Sequence, residues 1–96
     1  MNQYRLTPAT QRDLSSIWNF MEERWDIGQS EKYIREIQAA VERVAEDPER
    51  GRAREGVREG YRSYAVGSHV VFFLRRASHI EVVRILHERM DFGRPL

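Results

Sequence analysis

The strongest constraint on the fold is a run of β-forming sequence in the C-terminal half of the chain. Residues 60–75 read Gly-Tyr-Arg-Ser-Tyr-Ala-Val-Gly-Ser-His-Val-Val-Phe-Phe-Leu-Arg, and residues 80–87 read Ile-Glu-Val-Val-Arg-Ile-Leu-His. Gly67-Ser68 lies between two β-rich segments and predicts a two-residue hairpin, with glycine at the first central position of a type II′ turn. The sequence therefore predicts a three-stranded meander over residues 60–87. The almost continuously apolar strand after the turn would be central and covered on both faces.

The N-terminal half begins with the pattern of one short strand. Tyr4 and Leu6 alternate with polar neighbours, which predicts a strand over residues 3–7 with one buried face. Thr7 can act as a helix N-cap, and Pro8 suits the first helical position because an N–H there would have no helical partner. A helix is therefore expected to begin directly after the strand.

Two helical patterns follow, separated by a short break. Apolar residues recur at three- and four-residue steps on both sides of Asp26-Ile27-Gly28-Gln29, where Gly28 predicts a positive-φ turn. Helices joined so tightly pack antiparallel, which predicts a helical hairpin over residues 8–47 that ends at Asp47-Pro48. Three large side chains of the first helix are expected in the core between helices and sheet: Trp18, Met21 and Trp25.

Together these elements predict one α+β domain over residues 1–96, in the order strand, helix, helix and three strands. The helical hairpin would pack on one face of a small twisted, mainly antiparallel sheet. Residues 48–59 are predicted as a polar loop and residues 88–96 as a C-terminal tail, of which residues 90–96 are expected to be exposed. Five large apolar side chains are expected on the sheet face that the helices leave open: Tyr61, Tyr64, Val70, Phe72 and Leu74.

Composition narrows the possible functions. The chain has no cysteine, which excludes disulfides and thiolate metal sites and suits a cytoplasmic location. No apolar run approaches the roughly 20 residues that a membrane span needs, and the N-terminus lacks the pattern of a signal peptide. Residues 48–96 carry ten basic and six acidic side chains, and this imbalance is too mild and too scattered to predict direct nucleic-acid binding.

Short motifs spread over nearly the whole chain carry a family resemblance. In order they are Tyr4-Arg5-Leu6-Thr7-Pro8-Ala9, Asp13-Leu14 with Ile17-Trp18, Glu23-Arg24-Trp25 ahead of Gly28, Ala45-Glu46-Asp47-Pro48 with Gly51, Val57-Arg58-Glu59-Gly60-Tyr61-Arg62, Gly67-Ser68-His69-Val70-Val71-Phe72-Phe73, and Val83-Arg84-Ile85-Leu86-His87-Glu88-Arg89-Met90-Asp91. In this order the motifs resemble the RelE/ParE superfamily of bacterial toxin–antitoxin toxins, and more closely its ParE branch.

The resemblance implies a fold, a function and partners. It implies the RelE/ParE-like α+β fold and a growth-inhibiting toxin that binds DNA gyrase, traps it on cleaved DNA and blocks replication. The toxin would be non-enzymatic and would need no cofactor. A ParD-like ribbon-helix-helix antitoxin would neutralise it in a hetero-oligomer, and DNA contacts would belong to the antitoxin.

The alternative is a ribosome-dependent mRNA endonuclease of the RelE type. Nuclease members of the superfamily typically place an Arg after the hairpin to hold the scissile phosphate, where this chain has Val70. An aliphatic side chain cannot donate to phosphate, and loss of one such donor costs about 10²–10³-fold in rate by analogy with oxyanion sites. If the chain were a nuclease, the candidate catalytic residues would be Arg62, His87 and Arg89.

His69 and His87 are expected to be structural. Strict alternation places His87 with Val83 and Ile85 on the face toward the helices, where a hydrogen-bonded structural role is expected. His69 is expected to tie the hairpin to a neighbouring backbone carbonyl. With His79, these residues are far apart in sequence and lack acidic residues at ligand spacing, so no metal site is predicted.

Antitoxin binding is assigned to the open sheet face. A contiguous apolar patch on a small domain usually marks an interaction site, and nearby Arg side chains can pair with carboxylates of a bound antitoxin tail. The residues expected to contact the antitoxin are Arg58, Tyr61, Arg62, Tyr64, Val70, Phe72, Leu74 and Arg75. The sequence does not locate the gyrase-binding surface.

Overall fold

Two helices pack on one face of a mixed five-stranded sheet in the computed structural model, which describes residues 3–90, 92 and 96. The elements in chain order are β1 (Tyr4–Leu6), α1 (Pro8–Arg24), α2 (Ile27–Glu46), a 3-10 turn (Pro48–Arg50), β2 (Arg52–Ala53), β3 (Arg62–Val66), β4 (His69–Arg75) and β5 (Ile80–His87). This confirms the predicted α+β fold with a helical hairpin on one sheet face. Within the described ranges, neither helix is long and apolar enough to cross a bilayer.

Side-chain caps define where both helices begin. The Thr7 hydroxyl accepts a hydrogen bond from the Thr10 amide, and Pro8 occupies the first turn of α1 as predicted. The Asp26 carboxylate accepts from the Gln29 amide at 2.8 Å and begins α2. The prediction of a positive-φ turn at Gly28 was wrong, because the cap at Asp26 restarts the helix and Gly28 lies inside its first turn.

The strand order in the sheet is β1-β5-β4-β3-β2. β1 pairs with β5 in parallel, and the other neighbours pair antiparallel. β4 is central, as predicted. Gly67 has a φ of 56°, and no described non-glycine residue has positive φ, so the β3–β4 hairpin fits a type II′ turn. β2 was not predicted, since its two residues lie in the segment expected to be a loop.

The main core lies between the helices and the sheet. Ile37 and Val44 of α2 pack with Val71, Phe73 and other sheet residues, and all are almost fully buried. A β-bulge at the point where β5 passes Phe72 and Phe73 changes the alternation of side chains.

Three predicted placements were wrong. Val83 packs on the sheet face away from the helices because of the bulge. Trp25 is 47% exposed because the backbone leaves α1 at this residue in an extended conformation, whereas Met21 is in the core as predicted. Residues 90–96 were expected to be exposed, but Phe92 and Leu96 are half-buried against the sheet. Asp91 and residues 93–95 lie outside the described residues.

Candidate protein-binding surfaces

The sheet face away from the helices carries a second, smaller apolar cluster. Val70, Phe72 and Leu86 are buried there, with Phe92 and Leu96 packed against them. The rings of Phe72 and Phe92 meet edge to face with centroids 4.9 Å apart. The face that was expected to be open is therefore partly covered by the chain's own C-terminal residues.

Two arginines contact the C-terminal residues that cover this face. The Arg54 guanidinium lies 5.8 Å from the centroid of the Phe92 ring, within cation–π range, and its Nε donates to the Ser63 hydroxyl. Arg58 donates to the backbone oxygen of Leu96 at 2.7 Å. These contacts place a basic rim at the edge of the second cluster.

The structure divides the eight predicted antitoxin contacts between two faces. Val70 and Phe72 lie in the second cluster, alternation along β4 puts Leu74 on the same face, and Arg58 is at its rim. Tyr61 directly precedes β3 and is half-buried.

The prediction that Tyr64 lies on the open face was wrong. Tyr64 pairs with Val71 and packs in the core cluster on the helix side. The face assignments of Arg62 and Arg75 were also wrong, since both approach the helix-side loop, where Glu49 lies 3.9 Å from Arg62 and forms an ion pair with Arg75.

Arg62 holds the loop that follows α2. Its guanidinium donates to the carbonyl oxygens of Pro48 and Gly51, and the side chain is only 20% exposed. The approach at Gly51 is close, because a Cβ there would lie 2.4 Å from the Phe73 ring. These contacts make Arg62 part of the scaffold.

A groove between α1 and the free edge of β5 is the surface that the sequence did not reveal. It has a volume of about 550 Å³ and is bordered by Phe20, Trp25 and Met90, all partly exposed, with His69 and His87 at one end. Phe20 is an apolar residue outside the predicted core stripe of α1, and this was the available signal.

Asp13 fixes the geometry of the groove. β1 covers only Ile80 to Val82, so the later part of β5 runs beside α1 without a neighbouring strand on that side. The Asp13 carboxylate accepts two hydrogen bonds from Arg84, at 2.7 and 2.8 Å, and one from the Ile85 amide at 3.0 Å. The hydrogen bond to Asp13 raises the pKa of Arg84 above its ordinary value.

A row of three rings closes the hairpin end of the groove. The centroids of Tyr33 and His69 are 5.6 Å apart, and those of His69 and His87 are 5.3 Å apart. The Tyr33 hydroxyl lies 2.7 Å from His69 Nδ1 and 3.3 Å from the Val66 carbonyl oxygen, and it accepts a hydrogen bond from the Ser68 amide. His69 thus contacts a tyrosine hydroxyl, not the backbone carbonyl that was predicted.

Burial shifts the pKa values of two of these side chains, Tyr33 and His69. It raises the pKa of the Tyr33 hydroxyl. Burial and the neighbouring His87 lower the pKa of His69. Both shifts favour neutral rings at the hairpin end.

The structure separates the candidate nuclease residues. Arg62 pairs with Phe73, whereas His87 pairs with His69, four residues along β4. Four residues of strand span about 13 Å. His87 and Arg89 are neighbours through the Arg89 amide, but Arg62 lies at the other end of the sheet. Val70, at the position where the resemblance places the phosphate-holding Arg, is 6% exposed.

Two solved structures share this architecture. One is from the chromosomal ParDE TA system of P. aeruginosa, with a TM-score of 0.78 and 18% identity, covering 91% of this chain and 96% of that one. The other is the solution structure of a conserved hypothetical protein from Helicobacter pylori, with a TM-score of 0.58 and 15% identity, covering 91% and 94%. At these identities the likeness defines the fold, a small α+β domain of the ParE type.

Sequence comparison defines the family. The model of the ParE toxin of type II toxin–antitoxin systems, parDE, matches residues 4–92. Toxin ParE1 of Mycobacterium tuberculosis is 44% identical over 96 residues, covering 99% of this chain and 98% of the relative. Toxin ParE1 of Caulobacter vibrioides is 44% identical over 91 residues, covering 95% and 94%. This chain belongs to the ParE family of toxins of type II toxin–antitoxin systems.

Proposed function

We propose that this toxin binds DNA gyrase in the cytoplasm and blocks replication by trapping the enzyme on cleaved DNA. The observation that carries the proposal is the match to the ParE family along residues 4–92, with relatives named Toxin ParE1 aligned over nearly their full lengths. Gyrase is the target that the resemblance to ParE implies.

We also propose that the toxin acts by binding alone and performs no chemistry. Two placements support this. Arg62 is committed to the carbonyls of Pro48 and Gly51 and lies a strand length from His87. Val70 is buried under apolar contacts at the position where a nuclease of this superfamily would hold phosphate.

The proposed neutralising partner is a ParD-like antitoxin that forms a hetero-oligomer with the toxin. The sheet face of the second cluster remains the proposed contact, through the half-buried Leu74 and Tyr61 and the exposed Arg58. Val70 and Phe72, which were predicted to contact the antitoxin, are buried beneath this face and would support it from below. Apolar area supplies affinity, and a rim arginine orients an acidic segment and speeds association.

The test is a pair of assays on the purified chain. Increasing toxin is added to gyrase and relaxed plasmid, and supercoiled and linear DNA are measured. The same toxin is added to translating ribosomes, and message cleavage is measured. Toxin preincubated with its antitoxin is the control in both.

The two assays separate the candidate mechanisms. The proposal predicts inhibited supercoiling, linear DNA trapped with gyrase, and intact message, all reversed by the antitoxin. Cleaved message with normal supercoiling would contradict the proposal and favour the RelE-type mechanism.

A further inference from the structure

The imidazoles of His69 and His87 meet across β4 and β5 at a junction of four segments. His69 contacts Tyr33 of α2, and the Ser68 amide in the hairpin donates to the same tyrosine hydroxyl. His87 Nδ1 accepts from the Arg89 amide, and the Met90 amide donates to the His87 carbonyl. The Glu88 amide in turn donates to the Ser68 carbonyl. The histidine pair therefore joins α2, the β3–β4 hairpin, β5 and the start of the C-terminal segment.

The two histidine contacts differ in their proton requirement, because the Arg89 amide fixes His87 Nδ1 as an acceptor whereas the contact of His69 with Tyr33 can form with the proton on either partner. Because His87 Nδ1 accepts from a backbone N–H, neutral His87 carries its proton on Nε2. A second proton, on Nδ1, would break that hydrogen bond, because the ring N–H and the Arg89 N–H would then both be donors and would face each other. For His69, a proton on Nδ1 would make the ring donate to the Tyr33 oxygen and turn the tyrosine proton to the Val66 carbonyl, 3.3 Å away.

We propose that His69 and His87 form a proton-released latch, which in its neutral form holds the hairpin end and residues 88–90 together and which opens on acidification. Two charged imidazoles with centroids 5.3 Å apart would repel each other, and one of them would lose its contact with the Arg89 amide. The groove would then open at its histidine end, since both rings line it.

The surrounding charges define how the latch responds. From the described elements packed around it, α2 contributes Glu36 beside Tyr33, and the segment after β5 contributes Glu88 and Arg89. Glu88 favours the charged form of His69 but weighs less than burial and His87. Asp13 of α1 and Arg84 of β5 also line the groove and neutralise each other through their hydrogen bonds.

The direction of the pH effect follows from linkage. His69 has a lower pKa in the fold than its ordinary 6.5, so below about pH 6.5 the unfolded chain binds more protons than the folded one. The contribution of His69 to the free energy of unfolding is fully present above that pH, and it is lost as the pH drops toward the folded pKa. The unfolding equilibrium constant is expected to rise by up to about tenfold per pH unit for each extra proton bound by the unfolded chain.

The test compares urea unfolding of the full chain at pH 7.5, 6.5 and 5.5. In the double variant H69F/H87F both rings keep their apolar bulk and cannot titrate, so the loss of stability between pH 7.5 and 5.5 is expected to shrink. The control variant His79→Phe removes the third histidine, outside the latch, and is expected to keep the wild-type dependence. An unchanged pH dependence in H69F/H87F would overturn the proposal.

A second measurement needs no variant. In the wild-type chain, NMR titration of the imidazoles is expected to move the Ser68 and Arg89 amide signals together with that of His69. Histidine titration that leaves both amide signals in place would also overturn the latch.

Discussion

At the scale of single residues, Asp13 supplies β5 with a hydrogen-bond acceptor where no neighbouring strand provides one. The carboxylate accepts from the Ile85 amide where β1 no longer covers β5, and it holds Arg84 through two hydrogen bonds. The Asp13 side chain is 12% exposed and the Arg84 side chain 24% exposed, so water replaces these contacts poorly. The sequence suggested Asp13 only as part of a family motif, because its partners are more than seventy residues away.

Replacing Asp13 tests this contact. Asp13→Ala removes the acceptor of three hydrogen bonds, two from the part-buried Arg84 guanidinium and one from the Ile85 amide, and we expect a loss of about 2–4 kcal/mol in the free energy of unfolding. Glu31→Ala is the matched control, since its pair with Arg35 is exposed and 3.7 Å apart, and we expect a change within about 0.5 kcal/mol. Urea unfolding at neutral pH measures both, and equal losses would contradict the role of Asp13.

Gly67 is the glycine that the hairpin requires. Its φ is 56°, and a Cβ there would lie 2.5 Å from the Tyr33 ring. We expect Gly67→Ala to lower the free energy of unfolding by about 1–3 kcal/mol. Gly56→Ala is the control, because nothing lies within 4 Å of its Cβ position, and a change below about 1 kcal/mol is expected. Thermal unfolding separates the two outcomes, and a Gly67 variant as stable as the control would refute the steric argument.

At the scale of elements, local sequence patterns predicted what local physics decides. The hairpin at Gly67, the central β4 and the start of α1 at Thr7 follow from turn chemistry, continuous apolar sequence and capping. The β-bulge beside Val83 was not predictable. The alternation of side chains along one strand does not show where the neighbouring strand has an extra residue. β2 was missed because its two residues, an arginine and an alanine, are too few to show a strand pattern and pair only with β3.

The break between the helices depends on Asp26. Its carboxylate accepts from the Gln29 amide at an exposed position, and we expect Asp26→Ala to cost about 1 kcal/mol of stability. Asp26→Asn keeps an accepting side-chain oxygen and is expected to cost much less. Amide hydrogen exchange in the first turn of α2 provides the local measurement. Equal exchange in the two variants would show that Asp26 does not cap the helix.

At the scale of the whole molecule, the sheet has one face in the main core and one partly covered by Phe92 and Leu96. Sequence alternation predicted that Val70 and Phe72 share a face, but it could not show that C-terminal residues would cover them. Phe72 is fully buried and Tyr64 belongs to the other face. Replacing either residue with Asp would therefore destabilise the fold, and any loss of antitoxin binding could not be assigned to the interface. An exposed rim residue is the better probe of the proposed interface.

Arg58 provides that probe. It is exposed at the rim of the second cluster, and Arg58→Glu reverses its charge and removes its hydrogen bond to the Leu96 oxygen, while no buried side chain is changed. If a ParD-like antitoxin lays an acidic segment on this face, the association rate is expected to fall by about three- to tenfold at low salt, and the difference from wild type is expected to shrink as salt rises. Lys32→Glu on α2 makes the same charge change on an exposed helical position and is expected to leave the rate near wild type.

Stopped-flow association at several salt concentrations measures both variants. Equal slowing by both would mean that only net charge matters, and an unaffected Arg58 variant would move the antitoxin to another surface, with the groove between α1 and β5 the next to test.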